Sequence, residues 1–177
     1  MLNDVSPLRV AMIGHGFMGA AHSQGWRVAP RFFDLPAAPE MTLLVGRDAS
    51  RAEAAARKWG WEQTETDWRA AVARDDIDVI DIVTPGASHA EIAIAALEAG
   101  KHVLCEKPAA RTYEEALEMQ KAQHESGKIL NIGVVNRFND AVNKIKEIID
   151  ARELGEIYHV YVSFRAHRSI PGPGGAF

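Results

Sequence analysis

A chain of 177 residues, 47% hydrophobic and 25% charged, has the make-up of a globular protein with room for one ordinary domain and the start of another. Twenty Lys and Arg against 24 Asp and Glu leave a net charge of −4, which argues against a nucleic-acid or membrane partner, since either favours a basic face. A single cysteine excludes an internal disulfide framework, no apolar run nears the roughly 20 residues of a membrane span, and the first residues lack the pattern of a signal peptide, so the expected compartment is the cytoplasm.

Strand-like and helix-like segments alternate from the start. Leu8 to Ile13 is a short apolar run ending at a glycine cluster, as a buried parallel strand does. Ala20 to Ala29 reads as a helix stopped at Pro30, and Pro30, Pro36 and Pro39 predict a long loop before a second strand over Met41 to Val45. An Ala-rich helix follows over Ser50 to Trp59, with Gly60 at its C-terminal end. Ile77 to Val83, His102 to Cys105 and Ile129 to Val134 are expected as further strands, separated by helices over Ser88 to Ala99 and Thr112 to Ser126. The last helix opens on Thr112-Tyr113-Glu114-Glu115, a capping box. Strands alternating with helices in short units imply a doubly wound parallel sheet covered on both faces.

Beyond Val135 the pattern changes. Asp140 to Arg152 sets Val142, Ile145, Ile148 and Ile149 on one side of a helix. Glu156 to Phe164 alternates and is predicted as an antiparallel strand with one exposed face. One helix and one strand cannot close a core, and the sequence then runs into the loop composition of Pro171 to Phe177. The expected organisation is a nucleotide-binding domain of Rossmann type over residues 1–135, with residues 136–177 the truncated beginning of an α+β substrate domain.

Gly14-His15-Gly16-Phe17-Met18-Gly19 matches G-x-G-x-x-G between a strand and a helix. In that context Gly14 allows the tight turn, Gly16 lets the backbone approach a pyrophosphate, and Gly19 lets helix and strand pack closely. The pyrophosphate sits at the helix N-terminus, where free N–H groups and the helix dipole favour negative charge. The competing reading is a packing turn in another α/β fold.

The end of the second strand bears on the choice between NAD and NADP. An acid there accepts from the ribose 2′-hydroxyl and repels the 2′-phosphate. If the strand ends at Gly46, no acid is present and Arg47 can meet a 2′-phosphate; if the register slips by two, Asp48 becomes the acid and NAD is favoured. The sequence leans slightly to NADP, with Arg47 as a solvated loop charge the remaining alternative.

Thr84-Pro85-Gly86-Ala87-Ser88-His89 follows the Ile77 to Val83 strand, Cys105-Glu106-Lys107-Pro108 the next, and Val135-Asn136-Arg137-Phe138-Asn139 lies downstream. With the glycine turn, these motifs in this order resemble the glucose-fructose oxidoreductase, inositol dehydrogenase and rhizopine-catabolism protein family (Gfo/Idh/MocA), from about Leu8 to Phe164. The E-K-P tripeptide is the specific part of the match.

The resemblance implies an NAD(P)-dependent oxidoreductase acting on the CH–OH group of a sugar, inositol or related polyol. It places Lys107 between nicotinamide and substrate, where an ammonium stabilises alkoxide-like charge on the reacting oxygen. Glu106 positions that lysine, and the Lys107-Pro108 bond is expected to be cis. Without the resemblance, Glu106 and Lys107 read as a loop ion pair. Thr84 and Pro85 match the nicotinamide-side loop, although Gly86 stands where members commonly carry Asn. His89 falls at the matching histidine position, but a histidine at a helix start is more often a capping or packing residue. Asn136 and Arg137 lie where members approach nicotinamide and substrate, or else form a hinge. Cys105 reads as a small buried residue.

The family's second domain commonly carries dimer contacts and a D-x-x-x-H segment whose histidine moves the proton, so a homo-oligomer is expected of the intact protein and poor turnover of this chain alone. The histidines show no metal-ligand spacing, so no metal is expected. The rival reading from another class is a non-catalytic NAD(P)-binding sensor on the same fold.

Overall fold

Six strands form one sheet in the computed structural model, which describes residues 6–163: β1 (Leu8–Ile13), β2 (Pro39–Val45), β3 (Gln63–Glu65), β4 (Val79–Ile82), β5 (His102–Cys105) and β6 (Leu130–Ile132). Their order is β3-β2-β1-β4-β5-β6 and every neighbouring pair is parallel. The chain steps outward from β1 to β3, then returns to lay β4 against the other side of β1. That reversal opens a crevice at the carboxyl ends of β1 and β4, the place where sheets of this kind hold ligands.

The helices are α1 (Phe17–Phe32), α2 (Ala49–Trp59), α3 (Trp68–Val72), α4 (His89–Glu98), α5 (Tyr113–Ser126) and α6 (Asp140–Asp150). Alternation along β1 sends its side chains to two layers. Ala11 and Ile13 join Ile80, Ile82, Ile92, Leu97, Val103 and Met119 on one face of the sheet. Val10 and Met12 join Leu44, Ala56, Trp61 and Val83 on the other, with Met18 and Trp26 of α1 packed against them. Each face therefore removes a row of branched and aromatic side chains from water, the main source of stability for such a sheet.

The chain departs from the sequence expectation in four places. α1 does not stop at Pro30 but runs through it to Phe32. In a final turn proline forfeits one intrahelical bond, and Phe33 N–H still closes on the Ala29 carbonyl at 3.0 Å. β3 and α3 span only three and five residues, below the length at which periodicity is readable. α5 is capped by Thr112, whose Oγ1 accepts from Glu115 N–H at 3.2 Å, but Glu115 returns its carboxylate to Arg111 N–H rather than to Thr112. Finally, the strand expected over residues 156–164 is absent from residues 156–163, and Phe164 lies outside the described residues. Alternation can supply one face of a strand but not the neighbour whose N–H and C=O groups complete its ladder. Among the described residues no segment pairs with it.

The chain divides into two compact units at the Val134–Val135 junction. The second begins with a 3-10 turn, Val135–Phe138, followed by α6, whose N-cap Asn139 accepts from Ala141 N–H at 3.0 Å. Within this unit α6 and residues 154–161 line an apolar groove with Ile145, Ile148, Leu154 and Tyr158. The expected loop of Pro171 to Phe177 lies outside the described residues. Among the described residues no helix is long and apolar enough to cross a membrane.

Candidate functional site

The loops that follow β1, β2, β4, β5 and β6 carry Gly14, Gly46, Thr84, Glu106 and Gly133, all on one edge of the sheet. Gly14 turns the chain out of β1 with φ +113°, and its N–H donates to the Val45 carbonyl at 2.9 Å. A Cβ there would stand 3.0 Å from the Val83 main chain, so strain and contact both exclude a side chain. At Gly19 a Cβ would lie 2.9 Å from the Gly14 carbonyl oxygen, which is the close packing expected of that position.

Gly16 is the N-cap of α1, is exposed, and has open space where a Cβ would go. The first helical bond runs from Ala20 N–H to Gly16, leaving the N–H groups of Phe17, Met18 and Gly19 without an intrahelical acceptor. No side chain caps this helix, and its first turn holds no acid. Free donors, the helix dipole and an open backbone suit an anion such as a pyrophosphate. Phe17 is 87% exposed beside them.

β2 ends at Val45, and Gly46 follows it. The Asp48 carboxylate caps α2, accepting from Arg51 N–H at 3.1 Å and from the Ser50 hydroxyl at 2.8 Å, which holds it below the usual carboxylate range. Gly46 is thus the first residue beyond the strand, and Asp48 lies on the cap of α2. The space beside Gly46 is filled by the His15 ring, which a Cβ would overlap. Arg47 is exposed.

After β4, Thr84 and Ser88 face each other, with Ser88 Oγ 2.8 Å from Thr84 Oγ1. Pro85 is exposed at the start of the 3-10 turn Gly86–Ser88. His89, at the position the resemblance gives the family's histidine, opens α4 as a packing residue and not as an exposed contact for a cofactor. It is 1% exposed, with Nε2 2.7 Å from the Thr84 carbonyl oxygen and Nδ1 2.8 Å from that of Pro108. Both nitrogens are committed to main chain, so His89 clamps the loop after β4 to the loop after β5.

The Lys107-Pro108 bond is cis. Lys107 is exposed, and the ion pair with Glu106 that the sequence alone suggests is not formed: Glu106 Oε2 accepts the Lys107 main-chain N–H at 3.0 Å. Glu106 itself is 5% exposed, and its Oε1 lies 3.2 Å from His22 Nε2. Nδ1 of that ring lies 2.9 Å from Asp81 Oδ1, and Trp26 Nε1–H donates to Asp81 Oδ2 at 2.7 Å. His22, Trp26 and Asp81 are absent from the sequence reading of the site. A signal for them existed: Asp81 is an acid inside an apolar strand, and a buried carboxyl group requires partners.

Cys105 is fully buried, and burial first, then the charges of Asp81 and Glu106, push its thiol up to about 12. Asn136 lies exposed on the 3-10 turn of the second unit, with Arg137 beside it. Among the described residues no group of three His, Cys, Asp or Glu side chains is placed to hold a metal ion.

Residues 8–134 match the oxidoreductase family with an NAD-binding Rossmann fold. Levoglucosan dehydrogenase of Pseudarthrobacter phenanthrenivorans is 42% identical over 159 residues, 89% of this chain and 40% of that protein. Inositol 2-dehydrogenase of Rhodococcus erythropolis is 32% identical over 175 residues, 98% of this chain and 48% of that protein. Among solved structures, an oxidoreductase domain protein from Kribbella flavida superposes with a TM-score of 0.80 at 51% identity, over 85% of this chain and 41% of that one. A levoglucosan dehydrogenase in complex with NADH and levoglucosan gives 0.80 at 41% identity, with the same two coverages. The chain thus spans less than half the length of these relatives.

Proposed function

The chain belongs to the Gfo/Idh/MocA oxidoreductase family, and from that premise we propose that it is the cofactor-holding part of an NAD(P)-dependent dehydrogenase that oxidises a CH–OH group of a sugar, inositol or related polyol, or runs the reverse reduction. The observation that carries this reading is the convergence of three loops on one sheet edge: Gly14 to Gly19, Thr84-Pro85, and Glu106-Lys107-cis-Pro108. The levoglucosan and inositol dehydrogenases among its relatives support the substrate class.

In this proposal the main-chain N–H groups of Phe17, Met18 and Gly19 hold the pyrophosphate over Gly14 and Gly16. Thr84 and Pro85 border the nicotinamide. When bound, the nicotinamide supplies a hydride acceptor or donor at C4. The Lys107 ammonium donates a hydrogen bond to the substrate oxygen and stabilises the negative charge it carries once its proton has left and before its carbon gives up hydride, or that grows there as a carbonyl carbon gains hydride in the reverse reaction. Glu106 acts on the lysine's main chain and not its charge, leaving the ammonium available to substrate. For Asn136, in the second unit, a cofactor role is supported by the resemblance alone. The D-x-x-x-H segment that supplies the proton-transfer histidine in the family does not occur in this sequence, and Lys107 has the polarising role only.

For the cofactor, we infer that both dinucleotides are accepted and that Arg47 sets what preference there is for NADP. No acid stands after β2 to repel a 2′-phosphate, and Asp48 is occupied as a cap. The NADH of the levoglucosan dehydrogenase complex supports NAD as a partner of this fold. The resemblance also supports a homo-oligomer, and the buried free thiol of Cys105 suits the reducing cytoplasm.

Titration of NADH and NADPH against the purified chain, followed by nicotinamide fluorescence, tests the binding half of the proposal. Saturable binding of at least one is expected, and failure of both at millimolar concentration overturns it.

A further inference from the structure

Beneath Lys107 lies a polar cluster that pyrophosphate binding does not require. It joins three segments distant in sequence: His22 on α1, Asp81 on β4, and Glu106 at the head of the lysine loop. Asp81 is fully buried, and the side chains of His22 and Glu106 are 15% and 7% exposed. Groups of this kind are costly in a protein interior unless each finds a partner. Here each does: Asp81 receives His22 and Trp26, and Glu106 receives His22 on Oε1 and the Lys107 N–H on Oε2. Gly133 closes the remaining side, since a Cβ there would stand 2.8 Å from Glu106 Oε1.

The ring is the link. An imidazole with both nitrogens protonated donates to Asp81 and Glu106 together, whereas a neutral ring donates to one and turns a lone pair towards the other. Loss of the second donation frees Glu106 to rotate, and the Lys107 N–H then loses the acceptor that orients its peptide. We propose that His22 is a positioning residue for Lys107: by tying Glu106 to Asp81 it holds the Glu106 carboxyl against the Lys107 main chain and fixes the direction in which the lysine side chain leaves its loop. The inference rests on the polarising role given to Lys107 above.

The charged groups that face His22 are Asp81 from β4 and Glu106 from the loop after β5; Trp26, the neighbour on its own helix, is neutral. Burial alone would lower the pKa of the ring, but hydrogen bonds and charge from Asp81, and then from Glu106, prevail and raise it above 6.5. The doubly donating form is therefore favoured beyond that of a free imidazole and is lost as pH climbs through the raised value.

The test is a pH titration of the 15N-labelled chain by NMR, following the His22 ring nitrogens and the Lys107 main-chain amide. The Lys107 amide is expected to shift with the same midpoint as His22, above 6.5. In His22→Gln, whose amide donates from one nitrogen only and does not titrate, that shift should vanish, and amide exchange at Lys107 should quicken by about tenfold, the factor set by roughly 1.4 kcal/mol of lost restraint. Trp26→Phe, which spares the His22–Glu106 link, should leave the coupled titration in place. A Lys107 amide that ignores the titration of His22 in the unmutated chain overturns the inference without recourse to any variant. A folded His22→Gln chain with an unaltered Lys107 amide does the same. NADH and NADPH binding in the same samples separates the two readings. Coupled titration without binding counts against the proposed function alone, and binding without coupled titration counts against the role of His22 alone.

Discussion

His22 Nε2 stands 3.2 Å from Glu106 Oε1, so the helix that opens the glycine turn is bonded directly to the loop that carries Lys107. The two ends of the proposed chemistry, anion binding at the start of α1 and oxygen polarisation at Lys107, therefore share one piece of scaffold.

That bond makes stability depend on pH in a defined direction. The folded-state pKa of His22 is raised above its ordinary 6.5, so its contribution is fully present below about 6.5 and is lost as pH rises through the folded value. Unfolding free energies of the unmutated and His22→Gln chains, measured by urea denaturation between pH 5.5 and 9, should converge as pH increases. A gap that widens with pH would show that the ring is held neutral.

Gly14 and Gly16 should separate folding from binding. Gly14→Ala meets both φ +113° and the Val83 main chain, and is expected to cost about 1–3 kcal/mol, read as a fall in Tm. Gly16→Ala has open space and an ordinary φ of −80°, so stability should stay within about 0.5 kcal/mol while dinucleotide affinity drops. Equal effects of the two substitutions on Tm would contradict the geometry.

Lys107→Ala in the full-length enzyme should lower kcat/KM by about 10²–10³-fold while dinucleotide affinity changes little, since the lysine acts on charge that develops at the substrate oxygen. Lys107→Arg should restore only part of the activity, because a planar guanidinium cannot occupy the place of a compact ammonium. Steady-state kinetics beside a dinucleotide titration checks both, and retention of most activity in Lys107→Ala would remove the lysine from the mechanism.

Arg47→Ala should weaken NADPH binding by about tenfold and NADH binding by less than about twofold, as loss of one charged hydrogen bond to the 2′-phosphate requires. Parallel titrations of the two cofactors decide it: equal losses, or none, would leave Arg47 a solvated loop charge.

Cys105, buried and with its thiol pushed up to about 12, should resist maleimide at pH 7.5 and react only when the sheet opens. The labelling rate should therefore follow the unfolding equilibrium in urea, and rapid labelling of the native chain would show that the β5 end is accessible.

The sheet and the three motif loops were legible because each motif is contiguous. Gly14 to Gly19 and Glu106 to Pro108 carry their turn chemistry in adjacent residues, and the apolar runs of β1 and β5 match their observed limits. The cluster of His22, Trp26, Asp81 and Glu106 was not, because its members come from three elements that only the tertiary fold brings together. Glu106 was named through its motif and Asp81 was not, although it is the one acid in Val79–Ile82; its partners lie 59 and 55 positions earlier. His89 was legible as a helix-start residue, while its two carbonyl partners were not. Residues 156–163 show the opposite limit, since alternation was present and the pairing that makes a strand was not.

The contact between Gly133 and Glu106 sets a boundary for anyone who would cut this domain down. β6 contributes no motif and little core, and would look dispensable on a map of cofactor residues. Yet Gly133 N–H donates to the Cys105 carbonyl at 2.7 Å, and its bare Cα is the wall against which Glu106 rests. A minimal nucleotide-binding fragment must therefore run past residue 133, and a bulky residue grafted at that junction would disturb Lys107 from the far side of the sheet edge.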